Sequence, residues 1–231
     1  MHTTMQRNAG WGTRPISLGD AEDFARGLSI AENDRVGVAR ALYEFQPDGM
    51  ARGIYFSALR AAVSDAIGES KARELQIAHG LSDRFIPFSL YPHRDLYRLW
   101  FAAIPQTHPS RPIAYGIERI AERYFPAFLG STAGRTMAVL LGSDPLTIVK
   151  RLREAYTVSV PHNDHKLDII EDGLVRWRAT VEPSPWYSEA FIGILRGAMD
   201  GQGAAMPKVT TTKAGSVGRH HQRLVFELDW R

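Results

Sequence analysis

Cysteine is absent from all 231 residues. That excludes disulfides, thiolate zinc sites and cysteine nucleophiles together, and it accords with a reducing, cytoplasmic setting. Long apolar runs are missing as well: none approaches the roughly 20 residues that a membrane helix needs. Residues 1–10 lack the apolar centre of a secretory signal. The excess of one sign of charge is small, 28 basic against 25 acidic residues for a net charge of +3, with both signs alternating along the chain. A nucleic-acid-binding stripe is therefore not expected. No Ser/His/Asp order, paired carboxylates in a recognisable context or nucleophile elbow is found, so the case for an enzyme is poor. What is present is ordinary globular material, 44% hydrophobic and 23% charged, enough for a core without staples.

Residues 1–47 read as an N-terminal extension, partly flexible, and 48–231 as one domain. The extension carries a short helical stretch over 19–28, which Asp20 is placed to cap, and an apolar run from Val36 to Phe45 before Pro47-Asp48-Gly49. The domain opens at Met50 with an amphipathic helix, Ile54, Ala58, Leu59, Ala62, Val63 and Ile67 recurring at helical spacing. Further helices are expected over 70–79, 95–104, 113–124 and 135–141. Another runs from Asp144-Pro145 to about Tyr156, because Pro after an Asp cap is a strong start. Residues 86–92 read as a loop, and the prolines at 105, 109 and 112 as a break.

The pattern then changes to period two. Residues 166–171 and 174–181 flank Asp172-Gly173, a hairpin turn signature. Val175, Trp177, Ala179 and Val181 share one strand face, and Arg176, Arg178 and Thr180 the other. Residues 187–199 form an amphipathic helix with Gly193 and Gly197 four apart, admitting a close neighbour in helix–sheet packing. Two more extended runs follow, 208–213 and 221–230, with Leu224, Phe226, Leu228 and Trp230 on one face. The fold class is α+β: a helical N-terminal half packed on a mostly antiparallel sheet of about four strands, one helix inserted between two hairpins.

That C-terminal order resembles the end of a ligand-binding superfamily. So do Arg52-Gly53-Ile54-Tyr55-Phe56-Ser57-Ala58-Leu59, Phe125-Pro126-Ala127-Phe128-Leu129-Gly130 and Gly134-Arg135. The superfamily comprises vinyl-reductase-type sensor domains, haem nitric-oxide-binding domains and TRAPP-type tethering subunits. Within it the chain is similar to an uncharacterised family known mainly from myxobacteria. The resemblance covers about 48–231 and implies a pocket between helices and sheet. It also implies a homodimer, and the small residues Ala58, Ala61 and Ala62 suit close packing there. Two departures bear on cofactors. Haem nitric-oxide-binding domains use a helix histidine and a Tyr-x-Ser-x-Arg strand. Here the matching helix begins Asp144-Pro145-Leu146-Thr147-Ile148-Val149-Lys150 and the strand reads 174–180, with neither feature. Haem is thus not expected, and the cysteine-based metal site of the vinyl-reductase type has no ligands.

Several local patterns have bland alternatives. The phosphate-loop-like segment from Gly130 to Thr136 is one residue short between its glycines, carries Arg for Lys and follows no strand, so it reads as a helix-to-helix turn. His162 and His165 with Asp164 or Asp168, and the pair His220-His221, are possible metal ligands, but a loop pair and adjacent strand residues read better as solvated histidines, as does His79 near a helix end. Arg176, Arg178 and Arg223, with Lys208, Lys213 and Arg219 nearby, would hold a phosphate or carboxylate if they converge. Cross-strand pairing with Glu171, Glu227 and Asp229 is the alternative. The aromatics of the helical half are mostly core, with some lining a cavity. The ligand-binding residues taken forward are Arg176, Trp177, Arg178, Arg223, Tyr97 and Trp100.

The expected function is a non-enzymatic small-molecule-binding or signalling domain, bacterial and cytoplasmic, with no cofactor, no metal and no nucleic acid. Its partners would be a small molecule, a second copy and an output protein. The alternatives are an interaction scaffold with a filled core, or an enzyme acting on a tetrapyrrole-like or aromatic substrate.

Overall fold

A computed structural model describes residues 12–129 and 142–231. The expected helix over 135–141, the turn at 130–136 and the Gly134-Arg135 match lie outside them. In chain order the elements are α1 (Leu18–Arg26), α2 (Glu32–Glu44), β1 (Met50–Arg52), α3 (Gly53–Ile67), α4 (Glu69–Ala78), β2 (Leu90–Pro92), α5 (His93–Thr107), α6 (Ile113–Glu122) and α7 (Tyr124–Leu129). Then come α8 (Pro145–Ser159), β3 (Asp164–Glu171), β4 (Leu174–Val181), α9 (Tyr187–Gly201), β5 (Lys208–Val217) and β6 (His221–Asp229). A helical half is followed by an antiparallel four-stranded sheet of order β3-β4-β6-β5, with α9 between its hairpins. The fold is α+β.

The period-two stretches became the sheet because one face of each could be buried. Val175, Trp177, Ala179 and Val181 of β4 and Leu224, Phe226 and Leu228 of β6 are all buried. Trp177 lies opposite Phe226 in the register, and Phe191 of α9 covers both, its ring stacked 4.1 Å from that of Phe226 and edge-on 4.9 Å from that of Trp177. The turn between β3 and β4 has Gly173 at φ 74°, a conformation that disfavours a side chain.

Local readings need correcting where tertiary contacts prevailed. The helix expected from Met50 begins at Gly53, because Met50–Arg52 pairs antiparallel with Leu90–Pro92, part of the expected loop. Helix α5 runs through Pro105 rather than stopping before it. Pro105 sits in the last turn, where one missing N–H forfeits a single ladder bond. Ser17, not Asp20, caps α1: its hydroxyl accepts from the Asp20 amide while Asp20 accepts from the Ser17 amide. The apolar run of the extension is α2, whose Val38 and Leu42 enter the same core as the sheet, with Phe45 just beyond. Ala58 and Ala62 are buried inside the chain, while Ala61 is half-buried.

The two glycines of α9 meet a helix rather than the sheet. A Cβ on Gly193 would collide with the Glu118 carbonyl oxygen and one on Gly197 with the Glu122 carbonyl oxygen, both backbone atoms of α6. Backbone cannot swing aside as a side-chain tip can. Gly197→Ala should therefore destabilise the domain by about 1–3 kcal/mol, despite alanine's better helix propensity. Urea unfolding would read the loss; an unchanged midpoint would mean that α9 and α6 are not in this contact.

Candidate functional site

Between the helices and the sheet lies a continuous aromatic interior. Tyr55 comes from α3, Tyr97 and Trp100 from α5, Tyr124 from the start of α7, Tyr156 from α8 and Tyr187 from the start of α9. Their rings form a connected path: Tyr97 to Trp100 at 5.7 Å, Trp100 to Tyr124 at 5.4 Å, Tyr124 to Tyr55 at 5.9 Å and Tyr55 to Tyr156 at 6.4 Å. Tyr156 then reaches the inner sheet face, 4.9 Å from the His165 ring and 5.7 Å from that of Trp177.

These side chains bring polar atoms into an apolar place. Burial raises the pKa of Tyr55, Tyr97, Tyr124, Tyr156 and Tyr187, and the neighbouring phenols raise that of Tyr124, Tyr156 and Tyr187 further. All five are neutral O–H groups at neutral pH. The Tyr124 and Tyr187 hydroxyls and the Trp100 indole N–H are buried without a hydrogen-bond partner. His165 adds a fourth such atom. Trp177 Nε1 donates to His165 Nδ1 at 3.1 Å, so the ring proton resides on Nε2, which is also buried and unpartnered. Burial, only partly offset by Asp164, lowers the His165 pKa to about 4. Three unmatched buried donors on one aromatic path, with Tyr187 a fourth among the buried tyrosines, are unusual, since such atoms normally find partners.

The residues taken forward from the sequence divide between two faces. Tyr97, Trp100 and Trp177 are in this interior. Arg176, Arg178 and Arg223 belong to the opposite sheet face. Arg176 forks onto Glu227 at 2.8 Å and Arg178 onto Asp168 at 2.8 Å, while Arg223 is exposed opposite Thr180. The histidine expectations change more. His165 is buried, not solvated, because the strand alternation that carries Leu167 inward carries it too. His162 turns away from His165 and lies 3.0 Å from Glu182, with His93 of α5 on the other carboxylate oxygen. Burial alone would raise the Glu182 pKa; the two imidazoles, His93 foremost, outweigh it and hold the carboxyl at about 2. His79, also expected to be solvated, is driven by burial to a pKa of about 4.

The architecture is that of H-NOX domains. The matches include an oxygen-binding H-NOX domain related to soluble guanylate cyclases (TM-score 0.59, 10% identity, 77% of this chain and 94% of the other). An H-NOX protein from S. oneidensis aligns at TM-score 0.55 and 18% identity, over 77% and 96%. A protein studied for haem redox potential under porphyrin distortion aligns at TM-score 0.60 and 10% identity, over 78% and 99%. At these identities the likeness is one of fold. The chain belongs to the family described as "Protein of unknown function (DUF2378)", whose model matches residues 45–230. No curated protein matches it. No helix among the described residues is long and apolar enough to cross a membrane.

These neighbours overturn the expectation of no cofactor. That expectation rested on a missing helix histidine and a missing strand motif. The fold is nonetheless shared with proteins described by their haem and its distortion.

The burial of His165 has a measurable consequence. Its folded-state pKa lies below the usual 6.5, so the unfolded chain binds this proton first. Its contribution to stability is intact above pH 6.5 and is lost as pH falls toward 4, amounting to about 2 kcal/mol at pH 4.5. His165→Asn keeps an acceptor for the Trp177 indole and removes the titration. Between pH 7 and 4.5 its unfolding free energy should drop less than that of the parent protein; equal drops would exclude His165 as a titrating group.

Proposed function

We propose that this chain is a small-molecule-sensing domain whose ligand is held in the aromatic interior between the helical layer and the sheet. One observation carries the reading: Trp100, Tyr124, Tyr187 and His165 each bury a hydrogen-bond donor with no acceptor. Leaving such donors unmatched costs about 1–3 kcal/mol apiece. A ligand bearing acceptor oxygens would recover that cost. The fold supports the reading, since a solved neighbour is described as an oxygen-binding domain.

Haem is the cofactor that the fold brings forward. Were it bound, the Trp100 indole and the Tyr124 and Tyr187 phenols would be the donors for its two carboxylates, and the aromatic rings would lie against it. The iron is less well served. His165 Nδ1 already accepts from Trp177, so its Nε2 offers a proton and not a lone pair. The chain's own residues then act as hydrogen-bond donors to the ligand, and the packing of α9 on both layers excludes water. Any signal leaves through a protein contact. The exposed apolar side chains Ile86, Phe88 and Leu90 are suited to one. Val158 is drawn beside Phe88 by Arg52, which donates to both carbonyls.

Native mass spectrometry and an absorption spectrum of protein freshly purified from haem-replete cells test this directly. The expected result is a non-covalent adduct, with a Soret band if it is haem, that weakens about tenfold in Tyr124→Phe or Trp100→Phe, the loss of one good hydrogen bond. If the protein is free of adduct and Tyr124→Phe stabilises it, the hydroxyl is a structural cost and the reading fails.

A further inference from the structure

We propose that His93, His162 and Glu182 form a binding site for a divalent transition metal, zinc or ferrous iron. The three residues are far apart in sequence and are brought together by four elements. His93 is the first residue of α5, His162 lies in the turn between α8 and β3, and Glu182 directly follows β4. Gly49, just ahead of β1, closes the group: its carbonyl accepts from the His93 amide at 2.9 Å.

Three features point to a metal rather than to plain ion pairing. The donor set is two imidazoles and one carboxylate, which suits zinc or ferrous iron and leaves coordination positions open. All three donor atoms lie within 4.8 Å of one another; two ligands of one ion stand at most about 4.2 Å apart, twice a bond length, so small torsions of the rings complete the site. The second feature is alignment. His162 Nε2 is 3.0 Å from Glu182 and His93 Nδ1 is closer still, yet neither nitrogen and neither carboxylate oxygen is aligned as a hydrogen bond. Atoms that are near but off-line share a common focus, as ligands of one ion do. Glu182 is 1% exposed and His93 3%, so bulk solvent does not compensate the group.

The third is space. A Cβ at Gly49 would lie 2.7 Å from Glu182 Oε1 and 3.1 Å from His162 Nε2, so the absent side chain keeps the donors uncovered. His162, with 13% of its side chain exposed, marks the way in. One contact opposes loading. The Met50 amide donates to His162 Nδ1 at 3.3 Å, which keeps the ring proton on Nε2. Coordination through Nε2 moves that proton to Nδ1 and gives up the Met50 bond. Metal binding is thereby coupled to β1. The proposal is independent of the aromatic interior, and either can fail alone.

Full-length protein, stripped with a chelator, is titrated with Zn²⁺ by calorimetry and with Co²⁺ by visible absorption. One equivalent should bind, Co²⁺ should develop d–d bands of low-symmetry coordination, and the Met50 amide cross-peak should shift on loading. Glu182→Gln and His162→Gln should each weaken binding at least tenfold, with the control His221→Gln, on β6, unchanged. If Glu182→Gln does not fold, Gly49→Ala, whose backbone stays in an ordinary region, should block the site while circular dichroism is retained. Absence of saturable binding in the parent protein overturns the proposal. So does binding that folded His162→Gln and Gly49→Ala leave unaltered.

Discussion

Helix α9 has to serve two layers at once, and most of the architecture follows from how it does so. On one side Phe191 lies over Trp177 and Phe226 and seals the inner face of the sheet. On the other, Gly193 and Gly197 let the backbone of α6 approach until no methyl group fits. A helix with large residues on both sides would hold the layers apart. With glycines on one side, α6 and α7 come close enough for the aromatics of the helical half to reach the sheet. The polar tips of those aromatics are carried inward together, and so the same packing that builds the core also strands donors in it.

The aromatic interior and the Glu182 group, two of the buried polar clusters among the described residues, obey different rules. In the aromatic interior every stranded atom is neutral, so its desolvation is tolerable singly and the tyrosines gain by packing their rings. Around Glu182 the group is charged, and an uncompensated buried carboxylate would cost far more. Two imidazoles therefore face it from separate segments, and Tyr97 links the regions, its ring 5.2 Å from that of His93 and its hydroxyl sensing the Glu182 charge. A change of charge at Glu182 would alter the environment of Tyr97, and through it of Trp100. That gives the two regions a physical route for coupling, without requiring them to bind the same ligand.

What could be read in the sequence was whatever a local period or turn determines. The Asp172-Gly173 hairpin, the inward set of Val175, Trp177 and Ala179, and the Asp144-Pro145 helix start are all decided within a few residues. The Arg176 and Glu227 pair was also legible, because register places partners on one face. Strands β1 and β2 were not, since three residues carry no measurable period and their pairing is non-local. Nor was the grouping of His93, His162 and Glu182. His162 looked like a loop histidine beside His165, and its real partner is brought near by the end of β4.

The haem expectation failed for a related reason. A motif is one solution to a binding problem posed by the fold, and its absence speaks to that solution alone. Tyr97, Trp100, Tyr124 and Tyr187 come from three different helices and line up in no sequence pattern, yet they present donors to the same interior. Of the outward arginines, which did form a pattern, Arg176 and Arg178 are already paired with Glu227 and Asp168. Paired surface charges of that kind contribute little to stability and have no unmet demand for a ligand. Unmet demand, rather than chemical conspicuousness, is what separates a site from a surface here, and it is visible only after the chain has folded.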